Sequence, residues 1–104
     1  MVDEDTIAEA GRRLREAAAP GSRVILFGSH ARGDARANSD LDFLVVEPEV
    51  EHAAAESVRL RRALRGLRLF ADVVVVSERD VEAWREVRGS LVRSALTDGR
   101  VLAA

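Results

Sequence analysis

The stretch FGSHARGDARANSDLDFLVV (residues 27–46) places a Gly-Ser pair and two alternating aspartates between two apolar runs. Arg23–Phe27, with the sequence RVILF, is β-branched and apolar, which predicts a buried strand. The residues that follow are rich in Gly, Asn, Asp and Ser, so they predict a loop, with one helical turn after Ser29. A second strand is predicted over residues 40–46, where the core would not be expected to contain two carboxylates.

Asp40 and Asp42 are two residues apart on this second strand, so their side chains point to the same face, while Leu41 and Phe43 point to the other. Two like charges this close repel each other and raise the pKa of at least one of them. A divalent cation removes that repulsion, and Mg²⁺ suits one or two carboxylates together with substrate phosphates. The alternative is a solvated edge strand, on which alternating aspartates are harmless.

Asp72 is a lone charge in the apolar run LFADVVVV (residues 69–76), which predicts a central third strand. An unpaired carboxylate buried in such a strand would be costly, so Asp72 needs a partner. A metal shared with Asp40 and Asp42 is one partner. A salt bridge to one of the many arginines is the other, and the sequence leaves both open.

The Gly28-Ser29 pair follows the first strand directly. Glycine lets the backbone turn tightly and lets a ligand approach it closely. Serine offers a hydroxyl and an N–H group, and a following helical turn directs N–H groups at an anion. Arg32 and Arg36 can add charge-assisted hydrogen bonds to phosphate. Taken alone, however, a Gly-Ser pair after a strand also fits a simple turn.

The rest of the chain predicts an α+β fold, with helices flanking a small mixed sheet of three or more strands. The third strand is predicted at residues 68–76, and the tail from Arg100 is left unassigned. A helix between the second and third strands provides the crossover of a parallel pair, and the short loop before the second strand permits an antiparallel pair. Ser77 and Asp80 predict a capping box, and Trp84 is expected in the core. Helices are predicted at residues 3–19, 48–65, 78–87 and 91–97.

Composition limits the classes of protein that this chain can represent. Its 104 residues predict one domain over residues 1–104. The net charge of −2 argues against a protein that binds nucleic acid through bulk attraction. No apolar run approaches the roughly 20 residues of a membrane span, and the acidic N-terminal segment does not resemble a signal peptide. The sequence has no cysteine, which excludes disulfides and thiolate metal sites, and we expect a cytoplasmic protein.

The Gly-Ser pair at its fixed spacing from Asp40-x-Asp42, with Asp72 in the place of a third carboxylate, resembles the DNA polymerase β-like nucleotidyltransferase superfamily. The fuller motif GSHARGDARANSDLDFLVV is similar to that of its small MNT-type members, the minimal nucleotidyltransferases, which have G-S-x-A-R-G followed by S-D-x-D. The resemblance covers about residues 23–76. His30 occupies a variable slot of the motif, and we expect it to be exposed and to have no metal role.

The resemblance implies transfer of a nucleoside monophosphate from an NTP, expected to be ATP, with release of pyrophosphate. It implies two Mg²⁺ ions, and Asp72 would ligate one ion and help to activate the acceptor hydroxyl. The implied catalytic and metal-binding residues are Asp40, Asp42 and Asp72. The implied nucleotide-binding residues are Gly28, Ser29, Arg32 and Ser39.

The chain offers little material after Asp72 with which to hold an acceptor, so we expect a second chain to complete the site in a homo- or hetero-oligomer. Minimal members resemble one half of a two-component system whose other half is a helical HEPN protein, often a toxin ribonuclease. In that picture this chain is the antitoxin and adenylylates a tyrosine of its partner. Two alternatives remain: an antitoxin of the same fold that acts by contact alone, and an enzyme that modifies a small molecule such as an aminoglycoside.

Overall fold

The computed structural model describes residues 2–36 and 40–103, which form helices and strands in the order α-β-α-β-α-β-α-α-β. This arrangement confirms the predicted α+β class. No helix within these two ranges is long and apolar enough to cross a membrane. The elements are α1 (Glu4–Ala17), β1 (Arg23–Phe27), α2 (Ser29–Arg32), β2 (Leu41–Glu47), α3 (Ala53–Arg62), β3 (Ala71–Ser77), α4 (Glu78–Trp84), α5 (Leu91–Asp98) and β4 (Arg100–Ala103).

The four strands form one mixed sheet in the order β3-β2-β1-β4. β1 pairs antiparallel with β2 and with β4, and β2 pairs parallel with β3 across the α3 crossover. The predicted mixed sheet is therefore confirmed. The prediction that the third strand is central is wrong, because the tail returns through α4 and α5 to pair with the far side of β1. β3 consequently lies at an edge of the sheet.

Helices pack on both faces of the sheet, and strand alternation separates two apolar cores. Phe43 and Val45 of β2 point to the face covered by α1 and α3, whereas Leu44 and Val46 point to the face covered by α4 and α5. β2 is therefore buried on both sides, which explains its nearly continuous apolar sequence. The first core is centred on Ile7, Leu14, Leu26, Phe43 and Leu60; the second is centred on Ile25, Leu44, Val81, Val92 and Ala95.

Local sequence signals set several helix ends. The side chain of Asp3 accepts a hydrogen bond from the N–H group of Thr6 at the start of α1. Ser77 and Asp80 form the predicted capping box at the start of α4. α3 is shorter than the predicted 48–65 helix, because His52 provides no side-chain cap and the backbone beyond Arg62 tightens into turns. The third strand likewise begins at Ala71 rather than at residue 68.

Trp84 lies on the surface, with 51% of its area exposed, so the prediction of a core role is wrong. It is the last residue of α4, and Val81 is the buried residue of that helix. Val81 packs in the second core, whereas Trp84, at the C-terminal end of α4, lies outside it.

Glu47 ends β2 with a buried carboxyl group, which is only 2% exposed. Its Oε2 accepts a hydrogen bond of 3.0 Å from the N–H group of Ala19, and the carboxyl group of Glu56 is close enough to affect its pKa. Burial is the main cause that raises the pKa of Glu47. The guanidinium of Arg59, 2.6 Å from Glu56, lowers the pKa of Glu56 to about 2. Of the two carboxyl groups, Glu47 is therefore the one that binds a proton more readily.

Replacing Glu47 with Gln should flatten the pH dependence of stability. The folded pKa of Glu47 lies above its ordinary value of 4.5, so its contribution is fully present below pH 4.5 and is lost as pH rises through the raised pKa. Each unit of the rise corresponds to about 1.4 kcal/mol. Gln keeps the hydrogen bond from Ala19 without ionising, so Glu47→Gln should be the more stable protein at neutral pH.

Urea unfolding between about pH 5 and pH 8 measures this difference. Glu49→Gln, at an exposed neighbouring position, is the matched control and should follow the wild type. The pKa of Glu56 is lowered on folding, so Glu56 contributes stability that is fully present above its unfolded pKa of 4.5. This contribution therefore stays constant between about pH 5 and pH 8. Parallel curves for the wild type and Glu47→Gln would contradict the raised pKa of Glu47.

Candidate functional site

The parallel pairing of β2 with β3 sets Asp42 directly beside Asp72. Neighbouring strands lie about 4.8 Å apart, and residues in register point to the same face, so the two carboxylates are neighbours. Asp40 immediately precedes β2 and also acts electrostatically on Asp42. The structure therefore brings the three sequence-predicted aspartates to one end of the sheet, on the α4–α5 side beyond the second core.

The electrostatic field at Asp42 is unfavourable for a charged carboxylate. Partial burial is the first cause that raises the pKa of Asp42, followed by repulsion from Asp72 and then from Asp40. His30 and Arg32 lower the pKa of Asp42, but they do not cancel the rise. The site thus holds negative charge for which the described residues provide incomplete compensation.

Asp72 is exposed, contrary to the expectation of a buried carboxylate, because β3 lies at the sheet edge. Within residues 2–36 and 40–103, no arginine forms an ion pair with Asp72. The salt-bridge alternative for Asp72 is therefore not observed in this part of the chain. Its carboxylate faces solvent beside Asp42, where a substrate can reach it.

Gly28 connects β1 to α2 and lies against Asp42. Its φ of 77° falls in the region that favours glycine, and its carbonyl accepts the N–H groups of Ala31 and Arg32. A Cβ atom on Gly28 would overlap Asp42 Oδ2 and lie 3.1 Å from Asp42 Cγ. Glycine is therefore required at this position both by the turn and by the close approach of the carboxylate.

The other predicted nucleotide-binding residues divide into two groups. Ser29 begins α2, which confirms the helical turn predicted after it, and is half-buried. Arg32 ends α2 with its Nε 3.4 Å from Asp34 Oδ2, and it also acts on Asp42. Ser39 lies outside the described residues, so its predicted role stays a prediction.

His30 was predicted to be exposed, and this prediction is wrong. It is half-buried in α2, and its positive charge would lower the pKa of Asp42. Sequence reasoning therefore missed a residue that contributes to the field of the site. The available signal was its position in the helical turn that begins at the Gly-Ser pair.

The metal fit depends on how many ligands the protein itself must supply. In the described part of the chain, no group of three or more His, Cys, Asp or Glu side chains is arranged to hold a metal ion. Mg²⁺, however, is usually held by one or two carboxylates together with waters and substrate phosphates. The neighbours Asp42 and Asp72, whose repulsion a cation would relieve, fit such a shared site. A site formed by all three aspartates stays a prediction.

Three solved structures share the fold of this chain. A protein from Sulfolobus solfataricus assigned as a nucleotidyltransferase superposes with a TM-score of 0.62 at 22% identity, over 93% of this chain and 76% of that chain. A toxin–antitoxin complex with AMP-PNP gives a TM-score of 0.55 at 24% identity, over 97% and 73%. A mutant of the toxin–antitoxin pair MntA–HpeT, with two aspartates changed to glutamate, gives 0.52 at 23% identity, over 97% and 73%.

Comparison with curated proteins gave no match. The family model described as a nucleotidyltransferase domain, in contrast, matches residues 7–101. This match contains both the Gly-Ser turn and all three aspartates, together with every strand of the sheet except the end of β4. The chain is therefore a member of the nucleotidyltransferase domain family.

Proposed function

We propose that this protein is a Mg²⁺-dependent nucleotidyltransferase that transfers AMP from ATP to a hydroxyl group of a partner protein. The observation that carries the proposal is the pairing of Asp42 with Asp72 beside Gly28. We further propose that the partner is a HEPN-type helical toxin and that this chain is its antitoxin. The shared fold with a toxin–antitoxin complex containing AMP-PNP supports both the nucleotide and the kind of partner.

In the proposed reaction an oxygen of the acceptor hydroxyl forms a bond to the α-phosphorus of ATP. The bond between that phosphorus and the oxygen leading to the β-phosphate breaks, and pyrophosphate leaves. Asp72, which is exposed beside the site, would accept the hydroxyl proton. Mg²⁺ held by Asp42 with Asp40 or Asp72 would supply Lewis-acid stabilisation of the phosphate oxygens.

The Gly-Ser turn would bind the triphosphate. The first N–H groups of a helix have no acceptor within that helix, so the start of α2 can donate to phosphate oxygens. Arg32, at the other end of α2, adds positive charge to the same site, and Ser39 is the remaining proposed contact. These residues hold and orient the substrate, which is the main contribution of a protein to phosphoryl transfer.

A second candidate function is neutralisation of the partner by contact alone. The observation that favours it is the lack, among residues 2–36 and 40–103, of a ready set of three metal-ligating side chains. The two functions differ in one measurable respect, because only the enzyme leaves a covalent mark on its partner.

Changing Asp42 to Asn should reduce nucleotide transfer by about a hundredfold or more, since it removes a central charge of the site. The assay supplies each α-³²P-labelled NTP with Mg²⁺ and the protein encoded by the neighbouring reading frame, and measures label on that protein. Asp98→Asn, at an exposed position on α5, is the control and should label like the wild type. Neutralisation of the partner without any label would favour the contact-only function, and label that persists in Asp42→Asn would contradict the metal assignment.

The same substitution should stabilise the metal-free protein at neutral pH. The pKa of Asp42 is raised above its ordinary value of 3.8 in the folded state. The contribution of Asp42 to stability is therefore present below pH 3.8 and is lost as the pH rises through the raised pKa. Asn removes that loss, and it should also remove the rise in melting temperature that Mg²⁺ with ATP gives the wild type. Thermal unfolding with and without Mg²⁺ and ATP measures both effects. An equal rise with these ligands in both proteins would place their binding site elsewhere.

Changing Gly28 to Ala should reduce transfer about a hundredfold, because the new methyl group displaces the carboxylate of Asp42. Gly33→Ala is the matched control: Gly33 has a similar φ of 82°, but a Cβ there meets nothing within 4 Å. Gly28→Ala should lose more stability, because the ψ of Gly28 is −156°, in a region essentially restricted to glycine, whereas the ψ of Gly33 is 12°. Only Gly28→Ala should lose transfer. Equal loss of transfer in both would show that strain, and not contact with Asp42, is responsible.

A further inference from the structure

An open groove of about 600 Å³ lies between α3 and the start of β3, and it combines positive charge with an apolar floor. Three arginines line it, and none of the described residues that line it is acidic. We call it the α3–β3 groove. Its arginines are Arg61, Arg62 and Arg65, and its main apolar residues are Leu64, Leu67 and Phe70.

The three guanidinium groups of this groove are available to a ligand. Within the two described ranges, none of them forms a hydrogen bond or an ion pair with another group. Arg59, which is close to them in sequence, differs because it bonds Glu56 and the carbonyl of Ala17. On a chain with a net charge of −2, three such arginines beside one another are a local excess of positive charge.

The apolar part of the groove is also exposed. Phe70 has 80% of its area exposed, and Val58 on the opposite wall has 44%. Leu64, in contrast, is buried and fixes the floor to the first core. A large aromatic side chain left in water beside unpaired arginines is typical of a surface that another molecule covers.

The backbone that carries the groove is held in place. Successive hydrogen bonds of 2.9–3.1 Å run through residues 60–69 after α3. Arg13 of α1 donates to the carbonyl of Arg65 at 3.0 Å, which ties the turn to the neighbouring helix. The groove is therefore largely formed before any ligand arrives.

The groove and the carboxylate site lie at the same end of β3 but on opposite faces of the sheet, because Ala71 packs with the first core and Asp72 points to the α4–α5 side. Ala71, which lines it, immediately precedes Asp72 in the chain. The carbonyl of Phe70 accepts the N–H group of Leu41, the residue between Asp40 and Asp42, at 2.9 Å. A segment lying in the groove would therefore reach the proposed transfer site only by passing around the start of β3, which is an edge strand.

We propose that the α3–β3 groove docks an acidic, amphipathic segment of the acceptor protein. Carboxylates of that segment pair with the three arginines, and its apolar side chains cover Leu67 and Phe70. This inference rests on the proposed function, and it adds the chemistry by which the acceptor is recognised.

A protein segment fits the groove better than a nucleic acid does. Proteins that hold single-stranded nucleic acid use several aromatic side chains on which the bases stack, and this groove has one. Its floor is formed by leucines, which complement aliphatic side chains instead. Acidic residues next to apolar ones on a single helix or turn satisfy both parts of the groove at once.

The test uses a fluorescein-labelled amphipathic peptide of about 15 residues, long enough for helix to form, with Glu on one face and Leu on the other. Fluorescence anisotropy measures its affinity for the full chain. Arg61→Glu combined with Arg65→Glu should weaken binding about tenfold, and raising the salt to about 1 M should weaken wild-type binding. Phe70→Ser, which leaves the charges intact, should also weaken binding.

Arg79→Glu combined with Arg88→Glu is the matched control, since it changes the net charge equally at exposed positions outside the groove. Circular dichroism checks that every variant is folded. Equal weakening by the control pair, no binding of the peptide, or tighter binding of an oligonucleotide of equal length that the groove variant abolishes would each overturn the proposal.

A parallel measurement of Mg²⁺-dependent ATP binding separates this inference from the proposed function. The groove variant should bind ATP like the wild type. If the wild-type chain binds the peptide but not ATP, the proposed nucleotide transfer is refuted and the docking proposal stands. If it binds ATP but not the peptide, the docking proposal is refuted and the proposed nucleotide transfer stands.

Discussion

The repulsion between Asp42 and its neighbours Asp72 and Asp40 is the feature on which the rest of the site depends. The β2–β3 register creates it, because the parallel pairing that joins the apolar residues of these strands also places two carboxylates side by side. Partial burial then strengthens it by making the charged form of Asp42 less favourable. A fold selected for stability alone would not keep such an arrangement, and a site that takes up a cation with a triphosphate has a direct use for it.

The same sheet provides both the stability and the opening that this site requires. β2 is covered by helices on both faces along its apolar length, so the strand that carries Asp42 is held firmly. The helices α4 and α5 cover the second face only beyond the carboxylates, and α2 is a single turn beside them. Asp42 thus lies where a rigid strand reaches solvent, which is where loops and strand ends generally place functional groups.

Local patterns predicted the parts of this architecture that depend on neighbouring residues. The β-branched runs predicted the first three strands but not β4, and the Gly-Ser pair predicted the turn that brings Gly28 against Asp42. The exposed state of Asp72 could not be predicted in the same way, because it depends on which edge of the sheet the tail joins. That choice is made by packing between β1 and β4, which are far apart in sequence. The exposure of Trp84 could not be predicted either, because the helical spacing from Val81 does not say how far the sheet extends beneath α4.

The proposed metal-binding role of the three aspartates rests on the sequence motif more than on the structure. Their clustering follows from strand alternation and from register, so it is set by the fold. Their final arrangement as ligands depends on groups that arrive with the substrate, because Mg²⁺ combines protein carboxylates with phosphate oxygens. An unliganded chain need not hold three ligands ready, and doing so without a cation would add further repulsion to that already acting on Asp42. Under the proposed function, the raised pKa of Asp42 and the lack of three ready ligands among the described residues have a single cause, since the positive charges of the site would come with its substrate.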